Sequence, residues 1–271
     1  MTESYSPRCK GEGRSSQILS PLYGTIALDF LVMGEAHECP YLHGRIAREE
    51  AFRATEFPPD LYHDFMDHGF RRSGHIFYRP ACEDCGECRS IRIPARDYKL
   101  KKSHRRIINK NRDIVVSMAH PRLSGQKQRM YEDYLAVQHR SSTENSADDL
   151  YRFLYCSPIN TLELEYRLLD RIVAVGIVDL CSRSLSSVYV YFDPEFAHRS
   201  LGTFTAIKEI MVCRELGIGH CYLGFLVADC PSMSYKARFE PSEVLDASFA
   251  WQPYTAATKR DRRTGARQEP M

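Results

Sequence analysis

The sequence has no apolar run long enough to span a bilayer, and its first residues, MTESYSPRCKGEGRSSQ, lack the apolar segment of a secretory signal. It has no internal repeat and no low-complexity tract, which excludes solenoids and fibrous arrays. Net charge is small, +2 over 271 residues, so any attraction for nucleic acid has to come from local charge. What is left is a globular chain. With 43% hydrophobic residues it can build a core, and its length suits one large domain or two ordinary ones. The ten cysteines are clustered; without a signal or an apolar span, this points to a reducing cytoplasm rather than a disulfide framework.

Residues 68–112 hold the densest chemistry. Cys82, Cys85 and Cys88 repeat at two-residue spacing, which lets thiolates turn back onto one ion, and Gly86 supplies backbone freedom inside that loop. Cys39, in CPYL, is the candidate fourth ligand; four thiolates close a tetrahedral zinc site or hold an iron–sulfur cluster. The bland alternative is a surface knuckle of reduced thiols. Between Arg89 and Arg112 stand ten Lys or Arg against one acid, Asp97, a block that attracts phosphate unless it is merely a solvated face. Five histidines between His37 and His75 show no pairing at ligand spacing and are expected at the surface or in hydrogen bonds.

Residues 1–20 are expected to form a polar leader, and PLYGTIALDFLV (21–32) a short strand. Pro58-Pro59 opens a helix ending near Gly69, HIFYRP is a strand, and SIRIPARDYKL alternates as another. SHRRIINKNRDIVVSM predicts a basic helix followed by a strand. The organisation expected is a Cys-rich domain over 21–115, a second domain over 116–250, and a polar tail over 251–271.

The second half is clearer. TLELEYRLL alternates strictly, RIVAVGIVDL is almost continuously apolar, and LSSVYVYF is a third strand. LGTFTAIKEIMVCREL is a helix with Leu201, Phe204, Ile207, Ile210 and Met211 inward. HCYLGFLV follows as a fourth strand, parallel to the third because a helix intervenes. Three antiparallel strands, a crossover helix and a parallel strand make an α+β, acetyltransferase-like (GNAT-like) domain. There the third and fourth strands splay and admit an acyl donor. Arg199-Ser200-Leu201-Gly202 opens the helix, where free N–H groups hold phosphate. Phe204 stands where coenzyme A-binding members carry Gly or Ala, which disfavours pyrophosphate held in that manner.

CPYLHGR (39–45), HGFRRSGHIFYRPACEDCGECRSIRIP (68–94), RRIINKNRD (105–113), VYVYFDPEFAHRSLGTFTAIKEI and YKARF are similar to the arginyl-tRNA–protein transferases, in their bacterial branch. The resemblance covers about residues 20–250. It implies a thiol-rich first domain, a GNAT-like second domain and transfer of an amino acid, Leu foremost, from aminoacyl-tRNA to the N-terminal Asp or Glu of acceptor proteins, marking them for degradation. Arginyl transfer, a coenzyme A-dependent acetyltransferase and a metal- or redox-sensing tRNA-binding protein are the alternatives.

Such a reaction is aminolysis of an ester that is already activated, so alignment of the amine and charge at the carbonyl matter more than a covalent nucleophile. Tyr191, Asp193 and Tyr235 are the candidates to orient the amine or carry its proton. Arg71, Arg72, Arg79, Lys236 and Arg238 are the candidate partners of the acceptor carboxylate. If 234–239 is extended, Lys236 and Arg238 share one face. Lys101, Lys102, Arg105, Arg106, Arg199 and Gly202 are the expected tRNA contacts. Cys156, Cys181, Cys213, Cys221 and Cys230 are expected to act as small buried hydrophobes.

Overall fold

The computed structural model describes residues 31–138 and 147–255. The expected leader, most of the strand at 21–32 and the tail beyond 255 lie outside the described residues.

The first part of the chain makes a four-stranded antiparallel sheet in the order β1 (Val32–Met33), β4 (Glu49–Arg53), β6 (Ile76–Pro80), β5 (Arg71–Ser73). A two-stranded ribbon, β2 (His37–Glu38) with β3 (Ile46–Ala47), stands beside it. Helix α1 (Pro59–Asp67) begins at a proline, whose missing N–H costs nothing in the first turn. Tyr62, Phe65 and Met66 recur at helical spacing on its buried side. They close on Phe52, Phe57, Phe70 and Phe77, with Phe57 and Phe77 ring centres 4.4 Å apart.

The second sheet has eight strands, in the order β14 (Trp251–Pro253), β13 (Glu243–Leu245), β7 (Arg89–Pro94), β12 (His220–Leu226), β11 (Ser184–Phe192), β10 (Arg171–Leu180), β9 (Thr161–Leu168), β8 (Ile114–Ala119). Strand β7 comes from the thiol-rich half yet pairs with β12 on one side and β13 on the other. A division at residue 115 therefore does not separate the two sheets. The chain changes sheets at the knuckle, between β6 and β7. Residues 251–253, expected in a polar tail, form the outer strand.

β9, β10 and β11 form the expected antiparallel meander. Helix α5 (Leu201–Glu215) crosses over, with Leu201, Phe204, Ile207 and Ile210 buried against the sheet. (Before it come α2, Lys102–Lys110; α3, Gly125–Gln138; and α4, Ala147–Leu150, which continues into a π-helical turn, Tyr151–Tyr155.) β12 then runs parallel to β11, but only through Ser184–His220, Leu185–Cys221 and Ser186–Tyr222. Beyond these pairs β11 continues to Phe192, while β12 bulges between Tyr222 and Gly224 and follows β7. The two strands part. This gap is the feature expected of the GNAT-like fold, and everything below is placed relative to it.

The segment 234–239 is not extended. It is a 3-10 turn, Tyr235–Arg238, following a short helix, Pro231–Ser234. Alternation therefore does not apply: Lys236 turns inward and is buried, whereas Arg238 is exposed and faces His104 of α2.

Candidate active site in the splayed-strand gap

Three buried charged residues meet where β11 and β12 separate. Arg71 reaches in from β5 and donates from Nη2 to the Ser187 carbonyl, the first β11 residue past the last pair; its Nη1 is buried with no hydrogen-bond partner. Lys236 donates from Nζ to the Phe225 carbonyl at 2.8 Å. Gly224 lies between them with φ +85°, a conformation that glycine alone adopts without strain. A Cβ there would stand in ordinary contact, 3.4 Å from Arg71 Nη2 and 3.5 Å from Lys236 Nζ, which places both cations beside this glycine. The third member is Glu209 on α5, wholly buried, with the Ser187 side chain close enough to act on its carboxylate as a hydrogen-bonding group. It has room because its neighbour on β10 is Gly176, where a Cβ would press to 3.2 Å of Oε1.

Burial dominates the electrostatics. It lowers Lys236 to about 7, helped by Arg71 and opposed by Glu209. Burial also raises Glu209 to about 7, opposed by Ser187, Arg71 and Lys236. Tyr41 and Tyr78, both raised by burial, complete the neighbourhood of Arg71. The knuckle abuts the same place, since Cys88 acts on both Lys236 and Tyr41.

A cavity of about 240 Å³ opens at the start of α5 and is lined by Tyr134, Phe192, Ser200, Gly202, Thr203 and Tyr235, among others. Ser200 is left-handed (φ 58°) and ends the preceding 3-10 turn, and α5 begins in this cavity's wall with Leu201, Gly202 and Thr203. Tyr235 links the two places: it lines this cavity and also feels Glu209.

The other expected site residues divide. Arg72 points to the opposite face from Arg71 and is held by Asp179 through two bonds of 2.8 and 2.7 Å, with Gly74 and Thr161 also accepting from it. Arg79 is buried on Glu50 and the His68 carbonyl, between the rings of Phe70 and Phe249. Both are structural ion pairs, so neither is available to an acceptor in the gap. Tyr191 is a packed, fully buried ring whose hydroxyl is bonded to Tyr155 at 2.6 Å. Asp193 caps the turn Pro194–Arg199 and pairs with Arg171. Neither reaches the charged cluster. Arg199 is held by Asp113 at 2.8 and 3.0 Å, while Gly202 does line the cavity at α5.

The basic helix is exposed along Lys102, Arg105 and Arg106, and none of these three has an ion-pair partner among the described residues. Lys101 pairs with Glu240 at 2.9 Å. Arg96, Lys99, Lys101, Arg105 and Arg214 line a groove of about 1020 Å³ there. Cys181, Cys213, Cys221 and Cys230 are buried as expected; Cys156 is only half-buried and meets His75 at 3.0 Å. Sequence reasoning missed Glu209. The available signal was a carboxylate in the otherwise apolar stretch Ile207–Ile210.

Cys39, Cys82 and Cys85 all act on Cys88, whose thiol is pushed up to about 12 by burial first and by these neighbours next. All four are free and partly exposed. Cys39 Sγ accepts the Leu42 N–H at 3.4 Å and Cys82 Sγ donates to the Arg48 carbonyl at 3.6 Å. The donor chemistry is that of a zinc or iron–sulfur site. The spacing is open: among the described residues no three His, Cys, Asp or Glu side chains converge as metal ligands.

Comparison with known proteins identifies the family. Residues 37–106 match the family described as arginine-tRNA-protein transferase, N terminus, and residues 126–246 match its C terminus. Proteins named aspartate/glutamate leucyltransferase are similar over most of their length. That of Campylobacter jejuni (strain RM1221) is 32% identical over 213 residues, 77% of this chain and 89% of the relative. That of Halorhodospira halophila is 34% identical, covering 80% and 94%. Among solved structures, a GCN5-related N-acetyltransferase from Kribbella flavida aligns over 72% of this chain and 60% of its own, at 12% identity and a TM-score of 0.33. No helix among the described residues is long and apolar enough to cross a membrane. With both family segments matched in order, and relatives above 30% identity across more than three quarters of the sequence, the chain belongs to the arginine-tRNA-protein transferase family and is an aminoacyltransferase.

Proposed function

We propose that this protein moves leucine from leucyl-tRNA to the N-terminal Asp or Glu of acceptor proteins and so marks them for degradation. The observation that carries the reading is the pair of buried cations, Arg71 with an unpaired Nη1 and Lys236, at the closed end of the gap. A buried cation without a partner is costly, and a carboxylate ligand satisfies it. An acidic N-terminus brings that carboxylate within one or two methylenes of the reacting amine.

The acyl donor enters from the α5 side. The 3′ end of the tRNA occupies the cavity walled by Ser200, Gly202, Thr203 and Tyr235, and the exposed Lys102, Arg105 and Arg106 hold phosphates of the tRNA body. The neutral amine attacks the ester carbonyl, a C–N bond forms, the C–O bond to the ribose breaks, and the amine's proton ends on the leaving hydroxyl. The chain's contribution is alignment and charge. Tyr235, which lines that cavity and also feels Glu209, is the hydroxyl that orients the exchange in this reading.

The four thiols around Cys88 would hold a zinc ion or an iron–sulfur cluster, which would brace the knuckle beside Lys236 and Tyr41. Transfer itself uses the residues of the gap.

The test charges tRNA with leucine, phenylalanine or arginine in turn and follows transfer to peptides beginning Asp, Glu, Asn or Ala. Transfer of leucine to Asp and Glu alone is the expected result. Equal transfer to Asn and Ala would overturn the assignment of Arg71 and Lys236 to the acceptor carboxylate.

A further inference from the structure

The cavity at the start of α5 has two chemically different ends. Ser200 and Ser232 are its exposed members and put hydroxyls at the mouth, whereas Leu201 is buried and Tyr134, Val190 and Phe192 are half-buried. Alternation along β11 puts Val190 and Phe192 on one face, and both lie past Ser186, the last β11 residue paired with β12. The apolar end is thus a product of the splayed strands. Phe192 is held from two sides. The ring of Tyr134 meets it edge-on at 5.0 Å, and a Cβ on Gly202 would stand in ordinary contact, 3.7 Å from its Cε1.

Volume and charge decide what such a space can take. The cavity measures about 240 Å³. Pockets for drug-sized ligands run to about 300–1,000 Å³, whereas a cavity of about 150 Å³ takes benzene. One amino-acid side chain fits here, and an adenosine together with its amino acid does not. The lining also disfavours a cation. Among the described residues, none of those lining the cavity is charged. The first turn of α5 adds the positive end of a helix dipole, so a guanidinium would lose its water with no carboxylate to offset the loss. Asp193, the acid that follows Phe192, is engaged by Arg171 and caps the next turn through the Glu195 N–H.

We propose that this cavity holds the side chain of the amino acid being transferred, with Tyr134, Val190 and Phe192 selecting an uncharged side chain of about leucine's size. The inference rests on the reading that the acyl donor enters on the α5 side, and it names the part of the donor that the cavity takes. The isobutyl group of leucine fills the apolar end. The ester and the ribose lie at the mouth, beside Ser200 and Ser232. Phenylalanine is then disfavoured by size and arginine by charge.

The two criteria are separable by substitution. Phe192→Ala enlarges the apolar end, so phenylalanine should gain on leucine in kcat/KM by about tenfold or more, on the scale of the 10–200-fold that one methylene commands in an apolar pocket. Thr203→Glu brings a carboxylate to the cavity wall, and arginine should gain on leucine by about tenfold or more through a charged hydrogen bond. Glutamate suits the first turn of a helix, so the fold tolerates this change.

The experiment charges one tRNA body with leucine, phenylalanine or arginine, so that contacts to the RNA cancel, and follows transfer by the full chain to one peptide beginning with Asp. Wild type should prefer leucine. Phe192→Ala should shift the ratio towards phenylalanine without admitting arginine, and Thr203→Glu towards arginine without admitting phenylalanine. If Phe192→Ala does not fold, Tyr134→Ala takes its place as the size variant. The inference is overturned if the variants slow all three donors equally, because the cavity then holds the RNA terminus. It is also overturned if wild type moves arginine as readily as leucine. If wild type transfers from none of the three donors, the reading of the acyl-donor entrance falls, and the inference with it.

Discussion

Arg71 and Arg72 are adjacent in β5 and have opposite fates. Arg72 is fully buried on Asp179 through a two-pronged ion pair, whereas Arg71 crosses to the splayed strands and keeps Nη1 without a partner. Strand alternation is the cause, because successive side chains leave a strand on opposite faces. One face of β5 meets the core of the eight-stranded sheet and the other meets the gap.

The two substitutions should therefore separate stability from activity. Arg72→Ala strands Asp179 in the interior and is expected to lower stability by about 3–5 kcal/mol. Arg71→Ala leaves no buried carboxylate orphaned that was previously bonded. It should unfold at nearly the wild-type denaturant concentration while losing transfer to Asp peptides. Urea titration and the transfer assay together check both.

The basic helix gives a second prediction. Changing Lys101, Lys102, Arg105 and Arg106 together to Ala should weaken tRNA binding and lower the slope of log affinity against log salt by about 3, for four phosphate contacts of which Lys101 is shared with Glu240. An unchanged slope would make α2 a solvated face. Binding titrations over a range of salt concentrations provide the measurement.

How much of this was legible beforehand depended on whether a local pattern carried the information. The β9–β10–β11 meander, the crossover helix and the parallel β12 follow from period-two and helical apolar spacing, and each is present. The Arg71–Lys236 pairing was half legible: both were named as cations for a carboxylate, but Arg72, Arg79 and Arg238 looked the same. What distinguishes them is long-range, namely Asp179 for Arg72, Glu50 for Arg79, and the inward turn of the 3-10 segment that buries Lys236 and leaves Arg238 outside. Strand β7 was expected to stay in the Cys-rich part. Its partners, β12 and β13, come more than a hundred residues later, and no sequence window contains them.

The thiol group supplies a third prediction. If Cys39, Cys82, Cys85 and Cys88 share an ion or cluster, anaerobically purified protein should carry close to one equivalent of zinc or of an iron–sulfur cluster by elemental analysis. Cys88→Ser should lose it and lower the melting temperature. Traces of both elements in well-folded protein would leave the four as reduced thiols on a surface knuckle.

The last prediction concerns stability against pH. Glu209 is raised from 4.5 to about 7. Between those values the folded chain holds the proton that the unfolded chain has released, so stability falls as pH rises through that window. Lys236 is lowered from 10.5 to about 7. Between about 7 and 10.5 it is the unfolded chain that holds the extra proton, so stability rises with pH there. The buried pair therefore contributes least near neutrality, where both groups are held against their solvation. Tyr166, Tyr235 and Cys221 also act on or feel Glu209, and all three are raised from their ordinary values, away from the acid window. Melting temperature measured from pH 4.5 to 10 for wild type, Glu209→Gln and Lys236→Met should resolve the limbs. The wild-type advantage over Glu209→Gln should shrink between pH 4.5 and 7 and then stay level. Its difference from Lys236→Met should shift in favour of wild type only above pH 7. Parallel curves for all three proteins would mean that neither group changes protonation between the folded and unfolded states.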